Sequence, residues 1–195
     1  MLSNPFFYGW FQKAVSRSRC PETWIRRYLC PVAGERLLDL GCGIGRILDH
    51  LPPADYWGLD SNPSYVRFAQ KNFGHRARFI CADLCDTPWP LQGFFDRVMA
   101  LGILHHLTDE QARLVLDHAR RVMKPRAKLV TFDGCYEKGQ SPIARVLLSM
   151  DRGKYVRTQE GYESLARSVF RQVSTHMERG LLRVPYSHLI MEMTA

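Results

Sequence analysis

Three glycines on alternate positions, 41, 43 and 45, follow a short apolar run that contains an acid, Asp39. A strand that turns sharply into a helix around a nucleotide-like ligand has this composition. The dinucleotide-binding motif would need its third glycine where Arg46 stands, and Asp39 would repel a pyrophosphate from the same turn. The pattern therefore favours a ligand that carries an ammonium group and no phosphate.

A second acid completes this ligand site. Asp60 stands 21 positions after Asp39, at the end of a predicted strand, where a carboxylate can accept hydrogen bonds from both hydroxyls of a ribose. One acid near an amino-acid head group and another on a ribose describe S-adenosylmethionine. A later glycine loop, residues 134–141, has Gln140 in place of the P-loop lysine, which argues against ATP.

Candidate proton-transfer groups follow two later strands. His105 and His106 come after the predicted fourth strand and Asp133 ends the fifth, so all three should lie at the ligand-binding edge of an open sheet. These side chains are candidate catalytic bases, or else they only close turns. Beyond them, the candidates for substrate contact are Tyr136, Tyr155 and Arg157, with packing as the alternative for the tyrosines and a solvated charge for the arginine.

The bulk composition narrows the class of protein. A chain of 195 residues, 46% hydrophobic and 24% charged, is typical of one globular domain. No apolar run could span a bilayer, and the amino-terminal segment has no signal-peptide pattern, so we expect a cytoplasmic protein. Six cysteines without a CxxC pair predict no metal site. The net charge of +8 suits an acidic small molecule, a membrane surface or RNA, or is a solvated surface.

Strands and helices alternate after Gly34 and must position these residues. Repeated βα units predict an α/β fold, a doubly wound sheet with helices on both faces. We expect a carboxy-terminal hairpin to add an antiparallel edge. The predicted strands are 36–40, 56–60, 78–82, 95–101, 128–133, 172–178 and 187–194.

One domain should span residues 1–195. Its predicted parts are an amino-terminal helical cap (1–33), a cofactor-binding half (34–133), a lid-like insertion (134–157) and a carboxy-terminal helix with a β-hairpin (158–195). The insertion contains a short amphipathic helix, and together with residues 1–30 it is expected to close over the ligand and select the acceptor. His118 lies among arginines of a helix and is expected to face solvent.

Four segments together resemble the class I S-adenosylmethionine-dependent methyltransferases. They read LLDLGCGIGRIL, GLDSNPSYV, CADL and FDRVMALGILHHL, in order and at compatible spacing. The resemblance implies a Rossmann-like, seven-stranded sheet whose last strand is antiparallel. It also implies cofactor contacts by Asp39, Gly41, Cys42, Gly43, Gly45, Asp60, Ser61, Asn62, Asp83, Leu84, Leu101 and Gly102. The sequence departs from the family at 124–127, where many relatives have two glycines in the turn that precedes the fifth strand.

The resemblance leaves the methyl acceptor open. Residues LGIL after the fourth strand lack the Asn/Asp-Pro-Pro-Tyr motif of amide and adenine methylation, and no Pro-Cys nucleophile is present. A small-molecule methyltransferase is the leading interpretation. The alternatives are an RNA or protein methyltransferase, or a non-catalytic partner subunit that binds S-adenosylmethionine. The oligomeric state has no marker in the sequence.

Overall fold

The computed structural model describes residues 23–86, 89, 92–149 and 153–195. The helix predicted near residues 4–14 lies outside these ranges. The strands are β1 (Arg36–Leu40), β2 (Asp55–Asp60), β3 (Ala77–Cys81), β4 (Phe95–Leu101), β5 (Met123–Tyr136), β6 (Arg157–Thr158), β7 (Gln172–Arg179) and β8 (Ser187–Thr194).

The main sheet has the strand order β3-β2-β1-β4-β5-β8-β7. Strands β1 to β5 pair in parallel, whereas β8 is antiparallel to both β5 and β7. This arrangement confirms the Rossmann-like sheet with an antiparallel last strand. The antiparallel strand is not at the edge, however, because β8 inserts beside β5 and leaves β7 outermost.

The helices begin where short polar side chains cap them. In α1 (Pro63–Phe73) the Asn62 side chain accepts from the Ser64 amide at 2.9 Å. In α2 (Asp109–Val122) Thr108 and Gln111 form a reciprocal capping box. The remaining helices are α3 (Pro142–Ser149), α4 (Gln159–Arg167), a π-helical turn (Ile25–Leu29) and two 3₁₀ turns (Arg46–His50 and Leu104–His106).

Two apolar layers cover the sheet. One face packs against α2 and α4, and the opposite face packs against α1 and the π-helical turn. Trp24, Ile25, Tyr28 and Leu29, which the sequence places on one short helix, are all buried in the second layer. Burial on both faces leaves the strand ends as the place where polar side chains can converge.

Three local expectations need correction. His118 is buried and lies 5.3 Å from the Trp89 ring, so its predicted solvent exposure is wrong. The departure at 124–127 is not a turn before β5 but a register shift within it, where Arg126 adopts a φ of 65°. The predicted insertion also starts later than residue 134, because β5 runs to Tyr136 and β6 pairs with its end.

No helix in the described ranges has both the length and the apolar composition to cross a membrane.

Candidate active site

Asp39 lies in β1, buried beneath the edge where the parallel strands end. The Tyr56 hydroxyl donates to its Oδ2 at 2.6 Å, and its Oδ1 has no hydrogen-bond partner among the described residues. Burial raises the pKa of Asp39 to about 7, against the lowering effect of the Tyr56 hydrogen bond, and the nearby charge of Asp60 adds to the rise. An unpartnered carboxylate oxygen at this depth fits a cationic ligand group.

The glycine loop after β1 is anchored to the neighbouring strand. The amides of Gly41 and Cys42 both donate to the carbonyl of Leu59, at 2.7 and 2.9 Å. Gly41 has a φ of 73°, and a Cβ built there would overlap the side chain of Ile103. The backbone conformation therefore favours glycine at position 41, and any larger residue would also have to displace the Ile103 side chain. Ile103, which covers this glycine, is a site residue that the sequence analysis did not select.

Asp60 ties the glycine loop to the start of α1. Its Oδ2 accepts from the Gly43 amide and its Oδ1 from the Asn62 amide, both at 2.8 Å. Each oxygen of an ionised carboxylate has a second acceptor position. The carboxylate can thus organise the loop and still accept from two ligand hydroxyls.

Four other predicted cofactor residues lie in the glycine loop or just before α1. Cys42 is buried, and its Sγ lies against Gly58 of β2, which leaves only its backbone for a ligand. The Asn62 side chain caps α1. Ser61 is exposed between Asp60 and this cap. Gly45 adopts a φ of 75° at the start of the following 3₁₀ turn.

Two further predicted contacts flank the same edge. The Asp83 carboxylate accepts from the Cys85 amide at 2.8 Å and is exposed, whereas Leu84 is buried in the core. Leu101 pairs with Phe132, and the Gly102 amide donates to the Phe132 carbonyl at 2.6 Å. The end of β4 is thereby fixed beside the end of β5.

The structure brings two of the three predicted catalytic residues into contact. His105 Nδ1 lies 2.8 Å from Asp133 Oδ1, and the His105 backbone amide donates to the same oxygen at 3.2 Å. Both side chains are buried. When Asp133 is ionised and the imidazole is neutral, this contact requires the proton on Nδ1, because a carboxylate only accepts, and leaves the lone pair on Nε2.

The ring edge that carries Nε2 is framed by two glycines. A Cβ built on Gly102 would lie 3.5 Å from His105 Cε1, and one built on Gly153 would overlap Cδ2. His106 is exposed, with its ring 4.2 Å from that of His105. The sequence alone gives no reason to prefer His105 or His106 as the candidate base. The contact with Asp133 favours His105.

The three predicted substrate residues differ in what their side chains contact. Tyr136 is half-buried at the end of β5, and Tyr155 is exposed while its backbone amide donates to the His105 carbonyl at 3.0 Å. All five N–H donors of Arg157 have acceptors within the protein. That occupancy favours a positioning role for Arg157 over the direct substrate contact that the sequence predicts.

The arrangement can bind a ligand with an ammonium group and vicinal hydroxyls, and it can accept a proton beside that ligand. Within the described ranges, no group of three or more His, Cys, Asp or Glu side chains could hold a metal ion. The His105–Asp133 pair offers acid–base chemistry, and the residues at the strand ends can position a ligand.

Comparisons with known proteins point to one family. The family model described as "Methyltransferase domain" matches residues 37–126. The chain is 30% identical over 113 residues to the O-methyltransferase cnsE of Penicillium expansum, covering 54% of this chain and 40% of that protein. It is 33% identical over 109 residues to the 27-O-demethylrifamycin SV methyltransferase of Amycolatopsis mediterranei, covering 52% and 39%. The matches thus span about two fifths of these relatives.

Among solved structures, the fold is similar to Haemonchus contortus phosphoethanolamine N-methyltransferase 2 in complex with phosphomonomethylethanolamine and S-adenosylhomocysteine. The TM-score is 0.75 at 16% sequence identity, over 97% of this chain and 56% of that one. At this identity the likeness concerns the fold.

Proposed function

We propose that this chain carries a class I S-adenosylmethionine-dependent methyltransferase domain and that it methylates a hydroxyl group of a small molecule. The observation that carries the proposal is the buried His105–Asp133 pair, with 2.8 Å between Nδ1 and Oδ1. A base is needed when the acceptor loses a proton, as a hydroxyl does. The names of two relatives, which specify O-methylation, support this acceptor class.

The residues at the strand ends fit S-adenosylmethionine. The unpartnered Oδ1 of Asp39 suits the α-ammonium group, directly or through a water molecule. Asp60 has acceptor positions left for the ribose hydroxyls, and Asp83 is exposed beside them for the exocyclic amine of adenine. When bound, this cofactor supplies an electrophilic methyl group on a positively charged sulfur.

The proposed catalytic work of the chain is to align the acceptor and to remove its proton. His105 Nε2 would accept the proton that the acceptor hydroxyl loses when its oxygen takes the methyl group and S-adenosylhomocysteine leaves. Asp133 holds the ring in the required tautomer and balances the imidazolium charge that forms. General-base help of this kind is worth on the order of 10²–10⁴-fold in rate, and alignment contributes up to ~7–11 kcal/mol in favourable intramolecular cases.

A labelling experiment tests the proposal. The protein is incubated with methyl-labelled S-adenosylmethionine and a fractionated cell extract, and the label is followed into small molecules, RNA and protein. We expect label in a small-molecule fraction, in a methyl ether. His105→Asn should lower transfer at least about 100-fold while S-adenosylhomocysteine binds as in the parent. His106→Asn is the matched control, because it changes the neighbouring ring and keeps the His105 contact with Asp133.

Other outcomes would contradict parts of the proposal. Label in RNA or protein would show that the methyl acceptor is a macromolecule and not a small molecule. Tight S-adenosylhomocysteine binding with no transfer into any fraction would indicate a non-catalytic subunit. Tighter binding of NAD than of S-adenosylhomocysteine would overturn the interpretation of Asp39 and of the glycine loop.

A further inference from the structure

We propose that Arg157 is a positioning residue that fixes the orientation of His105 relative to Asp133. This proposal deepens the proposed function and rests on it for its catalytic meaning. Its structural basis is that the Arg157 guanidinium contacts both ends of the turn that carries His105. Arg157 itself lies in β6, which pairs with β5 close to Asp133.

The guanidinium spans the His105 turn. Its Nη1 donates to the Leu104 carbonyl at 2.9 Å, and its Nη2 donates to the Leu107 carbonyl at 2.7 Å. These carbonyls precede and follow the two histidines. The Asp109 carboxylate accepts from Nε and Nη2 at 3.0 and 2.8 Å, so the charge of the guanidinium is matched on its outer side. The Arg157 side chain is only 10% exposed.

The backbone around Arg157 contacts both members of the catalytic pair. Arg157 lies in β6 and pairs with Cys135 of β5, which is two residues beyond Asp133. The Tyr155 amide donates to the His105 carbonyl, and Gly153 packs so closely on the His105 ring that a Cβ would overlap it. Residues 153–158, hereafter the strap, therefore restrain the histidine by its ring and its carbonyl while joined to the aspartate strand.

Lysine at position 157 could not make the same set of contacts as the arginine. Five donors in one plane reach four acceptor groups at once, which the single ammonium of lysine cannot do. The Tyr162 ring, 5.6 Å from the guanidinium carbon, closes one side, and its hydroxyl donates to the Gly134 carbonyl next to Asp133. Removal of Arg157 should thus loosen the turn and let the ring leave its single orientation.

The test measures the tautomer of His105 directly. Full-length protein labelled with ¹⁵N-histidine is studied by NMR with S-adenosylhomocysteine, and His105→Asn assigns the signals. In the parent, His105 should show one fixed tautomer with the proton on Nδ1. In Arg157→Met, its two nitrogen shifts should move toward averaged values, while Arg157→Lys should restore part of the difference. S-adenosylhomocysteine affinity should stay within threefold of the parent.

Two further variants keep the test decisive. Arg97→Met removes another half-buried arginine–carboxylate pair, with Glu35, at the opposite end of the sheet and should leave the His105 signals unchanged. If Arg157→Met does not fold, Gly153→Ala perturbs the ring from the other side of the strap and should give the same averaging. Unchanged His105 signals in folded Arg157→Met, or equal changes in Arg97→Met, would overturn the positioning role. Absence of S-adenosylhomocysteine binding in the parent would instead contradict the proposed function.

Discussion

The two halves of the ligand-binding edge are built in different ways. On the cofactor side, Asp39, the glycine loop and Asp60 lie within one continuous stretch from β1 to the end of β2, and most of their contacts go to backbone amides and carbonyls. On the acceptor side, His105, Asp133 and Arg157 come from three separate elements and depend on side-chain contacts. A local motif can thus specify where the cofactor binds, whereas the acceptor chemistry depends on how distant segments pack.

The largest effect should follow from breaking the acceptor side at Asp133. Asp133→Asn replaces an acceptor-only carboxylate with an amide, so His105 is no longer held with its proton on Nδ1. We expect the rate of methyl transfer to fall about 100-fold or more at constant S-adenosylhomocysteine affinity. Single-turnover transfer and calorimetric binding measure the two quantities.

Thr131→Val is the control for Asp133→Asn on the same strand. The Thr131 hydroxyl is buried without a hydrogen-bond partner among the described residues, so its loss should leave transfer and stability intact. A similar loss of transfer in both variants would mean that β5 is merely sensitive to substitution.

A smaller effect should follow from breaking the cofactor side at Asp60. Asp60→Ala leaves the Gly43 amide, the Asn62 amide and two ribose hydroxyls underpaired, a cost of about 1–3 kcal/mol. S-adenosylhomocysteine should bind about 5- to 150-fold more weakly by calorimetry. Asp55→Ala, at the other end of the same strand, should bind as the parent does, and equal affinities in all three proteins would refute the assignment of Asp60 to the ribose.

The buried acid of the cofactor side should give binding a pH dependence. The pKa of Asp39 is raised from 3.8 to about 7, so the folded protein holds this proton more tightly than the unfolded chain. The resulting stabilisation of the ligand-free protein is complete below about pH 4 and is lost as pH rises to about 7. A cationic ligand prefers the ionised form, so affinity should increase up to about tenfold per pH unit until pH 7.

Asp39→Asn isolates this titration. The variant should lose both the fall in thermal stability between pH 4 and 7 and the matching rise in S-adenosylhomocysteine affinity. Calorimetry and thermal unfolding over this range measure the two slopes. A parent-like slope in the variant would assign the pH dependence to another group.

The smallest effect concerns a cap that supports the acceptor side. Thr108→Ala removes the side-chain acceptor for the Gln111 amide at the start of α2, directly after the His105 turn. The free energy of unfolding should fall by about 1 kcal/mol, which lowers the melting temperature by about 2–4 °C for a chain of this size. Thr158→Ala should cost less, since its hydrogen bond to the Gly161 amide is longer, at 3.4 Å. A larger loss of unfolding free energy in Thr158→Ala than in Thr108→Ala would show that the capping box of α2 contributes little.

Much of the fold and of the cofactor side is readable in the sequence. The strand limits agree closely because turn residues and apolar runs are local signals, as at 95–101 and 187–194. The register shift at 124–127 has no such signal, because Arg126 adopts a backbone conformation usual for glycine. The same is true of Arg157, since nothing in the sequence near it indicates that its acceptors lie about 50 residues earlier.

The packing of Cys42 has a consequence for redox chemistry. Its thiol sits in the glycine loop, yet its Sγ faces Gly58 within the core, and burial raises its pKa well above the usual range. Oxidants and alkylating reagents attack the thiolate, and burial disfavours this form of Cys42. Among the cysteines that the structure describes, Cys30 and Cys81 are exposed and should react first. We therefore expect the glycine loop to keep its shape under oxidative conditions that modify the exposed thiols.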